Sequence, residues 1–114
     1  MPTDGFYEWA KVAGGKQPYR ITMKDGEPFA MAGLWEWWRR GEQRIESFSI
    51  IVTAANELCR PIHDRMPVIL HPDTWDAWLT TKDAETASAL LQPYPASRMT
   101  MYPVSKRVGK RAER

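Results

Sequence analysis

Alternation of apolar and polar residues dominates the first half of the chain and predicts strands. These strands are predicted at about 4–12, 19–23, 29–38 and 47–54. The Asp25-Gly26 pair lies between two of the apolar runs, which predicts a hairpin turn because Asp-Gly suits the tight turns of hairpins. The segment 47–54 is almost continuously apolar or β-branched, so we expect a central strand that is buried on both faces.

In the second half the apolar period lengthens to that of a helix. A short helical turn is expected at 56–60, and Trp75, Trp78 and Leu79 then recur at i, i+3 and i+4, which predicts an amphipathic helix. Asp83 is placed to cap the N-terminus of a second helix. The order of elements predicts an α+β fold, a mostly antiparallel β-sheet or open barrel with two short C-terminal helices.

The length of 114 residues allows one domain, which we assign to residues 1–105 and which ends in a strand predicted at 99–104. Residues 106–114 form a basic tail with five basic side chains against one acidic, although the net charge of the whole chain is only +2. Such a tail can contact phosphates, or it can be a solvated terminus with no partner.

Cysteine content and hydropathy narrow the class of protein further. Cys59 is the only cysteine, which excludes an internal disulfide and a thiolate metal cluster. Together with the histidines it has no zinc-ligand spacing, so we expect no metal and no cofactor. No apolar stretch approaches the roughly 20 residues that cross a bilayer, so we expect no membrane contact. The expected location is the bacterial cytoplasm, at the nucleoid when the protein is bound to DNA.

Glu8 is the first candidate for proton transfer. On a strand its same-face neighbours are Phe6 and Ala10, while Tyr7 and Trp9 take the other face. A carboxylate in such weakly hydrated surroundings has a raised pKa, which suits general acid or base catalysis. The alternative is a glutamate on an edge strand with its carboxylate in water.

His63 is the second candidate, in a turn that lies between a proline and a short strand. Imidazole titrates near neutrality, and the adjacent Asp64 can orient the ring. Arg65 offers the planar guanidinium that binds phosphate oxygens well. The alternative is a loop histidine with a local ion pair.

Six tryptophans are present, and three fall in one short segment. Trp38 points to the opposite face from Trp35 and Trp37, so at least one ring is expected to be partly exposed. With Arg39 and Arg40 beside it, Trp38 resembles the stacking platforms of proteins that bind single-stranded nucleic acid. The alternative, favoured for Trp35 and Trp37, is packing in the core below a charged turn.

Four blocks of sequence resemble, in order and spacing, the SRAP (SOS response-associated peptidase) family of abasic-site processing proteins. The likeness runs from Asp4 to about Val108, and the His-Asp-Arg-Met-Pro run is quite specific to that family. The blocks are Gly5-Phe-Tyr-Glu-Trp9, Ile51-Val-Thr-Ala-Ala55, Ile62-His-Asp-Arg-Met-Pro67 and Pro103-Val-Ser105.

The resemblance implies a protein of the DNA damage response that recognises abasic sites in single-stranded DNA and captures them covalently. In the family, the amine of an N-terminal cysteine forms a Schiff base with the opened sugar, and its thiol then closes a thiazolidine. Glu8 and His63 match the residues that handle protons in these steps, and Arg65 matches a contact to a DNA phosphate. General proteolysis is not expected, because the sequence offers neither a Ser-His-Asp nor a metal arrangement.

Position 2 is Pro rather than Cys, and the first half of the family's sequence has no counterpart here. We therefore expect a partial SRAP domain, the C-terminal half, which does not crosslink and which self-associates through exposed strand edges. An attack on the aldehyde by the Pro2 amine is an alternative. A non-catalytic module that binds single-stranded DNA and an inactive structural remnant are two others.

Overall fold

Short antiparallel strands make up most of the regular secondary structure. The computed structural model describes residues 1–109, and within that range it contains ten strands, two α-helices and three 3-10 helices. The strands are β1 (Pro2–Thr3), β2 (Phe6–Val12), β3 (Gly15–Met23), β4 (Phe29–Met31), β5 (Gly33–Arg40), β6 (Gln43–Ile50), β7 (Val52–Ala54), β8 (Arg65–Pro67), β9 (Ile69–Leu70) and β10 (Met99–Pro103). The helices are α1 (Trp75–Thr80) and α2 (Ala84–Ala89), with 3-10 turns at Pro72–Thr74, Ala96–Arg98 and Lys106–Gly109.

The strands form four small antiparallel sheets. Two have three strands, in the orders β10-β3-β2 and β1-β4-β9, and two are ribbons, β5-β6 and β7-β8. Within residues 1–109 these sheets do not close into a barrel. The predicted α+β class with mostly antiparallel strands is confirmed. Of the predicted basic tail, residues 110–114 lie outside the described residues.

The hairpin predicted at Asp25-Gly26 is wrong. A turn does form there, with the amide of Gly26 donating to the carbonyl of Met23 at 3.0 Å. Its flanking strands β3 and β4 belong to different sheets, because β2 and β10 already occupy both edges of β3. The tight hairpins turn instead at Gly14 and Gly41, whose φ angles of +83° and +61° favour glycine.

The central strand predicted at 47–54 is also wrong. The segment is split at Ile51, and its first part lies in β6, which among the described strands pairs only with β5. This β5-β6 ribbon is largely exposed, with Phe48 retaining 48% of its accessible surface. The radius of gyration of 16.5 Å exceeds the value of about 13 Å expected for a compact chain of this length. Apolar composition therefore predicted the strand but not its burial, because no described layer covers most of the ribbon.

Both predicted helices are confirmed. A 3-10 turn at Pro72–Thr74 leads into α1, and Trp78 of that helix packs against a smaller apolar cluster formed by Ala32, Val68 and Leu70. Asp83 caps α2 as expected, because its carboxylate accepts the amides of Glu85 and Thr86 at 3.3 Å. Neither described helix has the length or the apolar run needed to cross a bilayer.

The main core lies between the β10-β3-β2 sheet and the segment that follows β7. Its largest fully buried side chains include Ile21 of β3, Met66 of β8 and Met99 of β10. Phe6 of β2 packs on the same cluster, so the inner face of β2 is held against the segment that leads to β8. This packing brings the two sequence candidates for proton transfer to one region.

Candidate active site

Glu8 lies in the middle of β2 on the inner face of the sheet. The strand alternates as predicted: Phe6, Glu8 and Ala10 are half-buried, while Tyr7 and Trp9 are exposed. Burial raises the pKa of Glu8 above its usual value, because a desolvated carboxylate is less stable than the neutral acid. The nearby imidazole of His63 acts in the opposite direction by electrostatic attraction, which lowers the pKa of Glu8.

The turn that follows β7 is organised by Asn56, a residue that sequence reasoning did not single out. Its Oδ1 accepts the backbone amides of Leu58 and Cys59, each at 3.1 Å. Its Nδ2 donates to the carbonyl of Tyr94 at 2.7 Å and to Sδ of Met99 at 3.4 Å. The only available signal was an asparagine two positions after a strand, where side chain to backbone turns are favoured.

His63 ends this turn with its backbone fixed and its ring half exposed. The carbonyl of Cys59 accepts the amides of both Ile62 and His63 at 2.9 Å. The Nδ1 atom lies 3.1 Å from the amide nitrogen and 3.1 Å from the carbonyl oxygen of Arg65, and 3.5 Å from a carboxylate oxygen of Asp64. The backbone of Arg65 therefore offers a donor for the neutral ring and an acceptor for the protonated ring, with Nε2 pointing away from these contacts.

Cys59 shares the site with Glu8 and His63 but is not a suitable nucleophile. Its side chain is buried, and burial raises the pKa of the thiol to about 11, with the negative charge of Glu8 adding to the effect. A thiol with such a pKa is almost entirely protonated at neutral pH, and the thiolate is the reactive form. The site therefore combines two groups suited to proton transfer with an inert thiol.

Arg65 begins β8, opposite Ala54, next to the histidine in sequence. Its side chain is exposed, and within residues 1–109 it forms no ion pair with an acidic side chain. A guanidinium in this state is able to bind an anion.

Trp38, Arg39 and Arg40 lie on β5 in the exposed ribbon. Within residues 1–109, none of these three residues forms a hydrogen bond or an ion pair with Glu8 or His63. The strand register confirms that Trp38 takes the opposite face from Trp35 and Trp37. The core packing favoured for those two rings is wrong, because they remain 58% and 48% exposed.

The same ribbon carries a cation-π contact and a close glycine contact. The guanidinium of Arg44 lies 4.6 Å from the ring centroid of Trp37 and 3.5 Å from the carboxylate of Glu46. Phe48 crosses over Gly33 so closely that a Cβ atom at that position would clash with the ring. The ribbon is thus an ordered surface with exposed rings and arginines.

Pro2 lies in β1, opposite Ala30 of β4, in a different sheet from Glu8. It lines an apolar cavity of about 510 Å³ whose other walls include Trp35, Phe48 and Trp78. Among the described residues, no group of three or more His, Cys, Asp and Glu side chains could hold a metal ion.

Comparison with known proteins gives consistent matches over nearly the whole chain. The model of the SOS response associated peptidase (SRAP) family matches residues 1–111. The abasic site processing proteins YoqW and YoaM of Bacillus subtilis (strain 168) are 44% and 41% identical over 112 residues, which cover 95% of this chain and 50% and 49% of theirs. A crystal structure of a protein from Bacteroides thetaiotaomicron has a TM-score of 0.89 at 31% identity, covering 98% of this chain and 51% of that chain. The chain spans about half the length of the curated relatives it matches.

Proposed function

The chain belongs to the SRAP (SOS response associated peptidase) family, and on that premise we propose that it acts on abasic sites in DNA. The relatives matched over most of the chain are named abasic site processing proteins. The observation that carries the proposal is that β2 and the turn of His63 pack on one core through Phe6 and Cys59, so that Glu8 and His63 lie near each other although they are 55 positions apart in the sequence. A paired acid and base is what the sugar of an abasic site requires before an amine can react with it.

The proposed step is opening of the sugar ring. The closed form is a hemiacetal, and a base removes the proton of the hydroxyl on C1 while the bond between C1 and the ring oxygen breaks. An acid delivers a proton to that ring oxygen, which leaves an aldehyde at C1 and a hydroxyl on the chain. Glu8, with its raised pKa, and His63 supply these two roles, and after the step the base releases its extra proton to water while the acid takes a proton back from water.

Single-stranded DNA is the proposed partner, because an abasic sugar is most accessible without an opposing strand. Arg65 lies next to the site and is proposed to hold a phosphate through its guanidinium. Trp38, Arg39 and Arg40 are proposed to contact the strand further along, by base stacking and by phosphate pairing. Binding of this kind weakens steeply as salt concentration rises.

Binding is tested with a labelled single-stranded oligonucleotide that carries one abasic site, followed by fluorescence anisotropy across a salt series. Arg65→Ala is expected to weaken binding about tenfold, because one charge-assisted contact to a phosphate is lost. Arg98→Ala is the matched control, since it removes an exposed arginine from the 3-10 turn at Ala96–Arg98. Equal losses in the two variants would contradict the role of Arg65.

Ring opening is tested separately with an aminooxy probe, which reacts only with the free aldehyde. The protein is expected to increase the rate of oxime formation on the abasic oligonucleotide, and Glu8→Gln and His63→Ala are expected to abolish the increase. The readout does not depend on a nucleophile of the protein. A non-catalytic DNA-binding module would bind the oligonucleotide without changing the oxime rate, and an inactive remnant would do neither.

A further inference from the structure

Asn56 is the one buried polar residue among those described, with 8% of its surface accessible. Within residues 1–109 no buried side-chain nitrogen or oxygen lacks a hydrogen-bond partner, and the Asn56 amide meets this condition with four contacts. A buried amide without partners is costly, so such complete bonding stabilises a single arrangement of the surrounding segments. The amide therefore fixes the segments that it joins relative to each other.

The two ends of the amide contact different parts of the candidate site. Its Oδ1 accepts the amide of Cys59, and the carbonyl of Cys59 in turn accepts the amide of His63. Its Nδ2 donates to Met99, the first residue of β10, which pairs with β3. Strand β3 pairs with β2, where Glu8 lies. One side chain thus connects the turn of the imidazole to the sheet of the carboxylate.

Within the described residues, this is the only hydrogen-bonded link between the turn of His63 and the sheet of Glu8. Apart from the bond to Met99, no hydrogen bond within residues 1–109 joins the segment 55–64 to the β10-β3-β2 sheet. Apolar packing also joins them, since Ala55 and Cys59 share the main core with Ile21 and Met99. Apolar contacts tolerate small sliding motions, whereas a planar amide bonded at both ends fixes direction as well as distance.

We propose that Asn56 is a positioning residue that sets the separation between the carboxylate of Glu8 and the imidazole of His63. It touches neither group and acts through Cys59 on one side and through β10 on the other. That this separation serves sugar ring opening rests on the proposed function. The positioning role itself can be measured on the protein without DNA.

The test is a double-mutant cycle on the titration of Glu8, followed by carbon-13 NMR of its carboxyl group. A protonated imidazole nearby favours the ionised carboxyl, so His63→Gln is expected to move the Glu8 midpoint upward. In an Asn56→Ser background the same replacement is expected to have little or no effect. The serine hydroxyl can still accept an amide of the turn, but it is too short to reach both Tyr94 and Met99.

Two further variants separate positioning from general stability. Met99→Leu conserves volume and removes the sulfur acceptor, so it keeps the fold and is expected to reduce the effect of His63→Gln. Val68→Ala destabilises the smaller apolar cluster and is expected to leave that effect unchanged. The proposal is overturned if His63→Gln moves the midpoint equally in the parent and in Met99→Leu, or if Val68→Ala abolishes the effect as Asn56→Ser does. Failure of the oxime assay alone would contradict the proposed function and not this role.

Discussion

The β5-β6 ribbon and the sheet around Glu8 have similar strands but differ in how deeply their side chains are buried. Both consist of antiparallel strands rich in aromatic residues, and both join their strands through a turn with a glycine of positive φ. The sheet that carries Glu8 has a core on its inner face, and its side chains alternate between half-buried and exposed. Side chains of the ribbon are exposed on both faces over most of its length.

The difference shows that pairing and burial have separate causes. Backbone hydrogen bonds and β propensity suffice to form two-stranded pairing, but burial requires a second layer that supplies a complementary apolar surface. Around Glu8, the segment containing Asn56 and Met66 is that layer. The same layer desolvates Glu8, which raises its pKa, and brings His63 close to it. Within residues 1–109 the ribbon has no such covering layer over most of its length.

The sharpest test of this contrast removes equal amounts of apolar side chain from the two regions. Ile21→Ala, at a fully buried position of β3, is expected to lower the free energy of unfolding by about 2–5 kcal/mol. Leu34→Ala on the ribbon, where 58% of the side chain is exposed, is expected to change it by about 0.5 kcal/mol or less. Urea denaturation measures both. Comparable losses would mean that the ribbon is covered in solution.

A smaller effect is expected from Gly33→Ala, at the base of the ribbon. The new methyl group would meet the Phe48 ring, so we expect a loss of about 1–3 kcal/mol from forced displacement of the ring. In a Phe48→Ala background the loss should disappear, because the obstructing atoms are gone. A cycle of urea denaturation curves gives the coupling. An uncoupled pair would show that the ring does not rest on this glycine.

The smallest expected effect concerns Glu8 and depends on pH. A carboxyl whose pKa is raised by folding contributes stability while it is protonated, and that contribution is lost as pH rises through the folded pKa. Glu8→Gln is therefore expected to match the parent in acid and to exceed its melting temperature at neutral pH. Glu57→Gln, an exposed position in the adjacent turn, serves as control. A neutral-pH melting temperature that Glu8→Gln leaves unchanged would argue against desolvation of this carboxyl.

Local patterns predicted what depends on near neighbours in sequence. Alternation along β2 gave the inward face of Glu8, and the residues around Asp83 gave the cap of α2. Patterns failed where the local structure depends on a segment that is distant in the sequence. The role of Asn56 depends on Tyr94 and Met99, about 40 positions away, and the Asp25-Gly26 turn was misassigned because β10 takes the free edge of β3. The roles of Glu8, His63, Arg65, Trp38, Arg39 and Arg40 remain predictions.

Three of the six tryptophans, Trp35, Trp37 and Trp38, stand on the exposed ribbon. Indole rings in contact with water emit at longer wavelengths and are quenched readily by dissolved iodide or acrylamide. A molecule that binds to the ribbon should therefore shift the emission of these three rings to the blue and shield them from quencher, without a label.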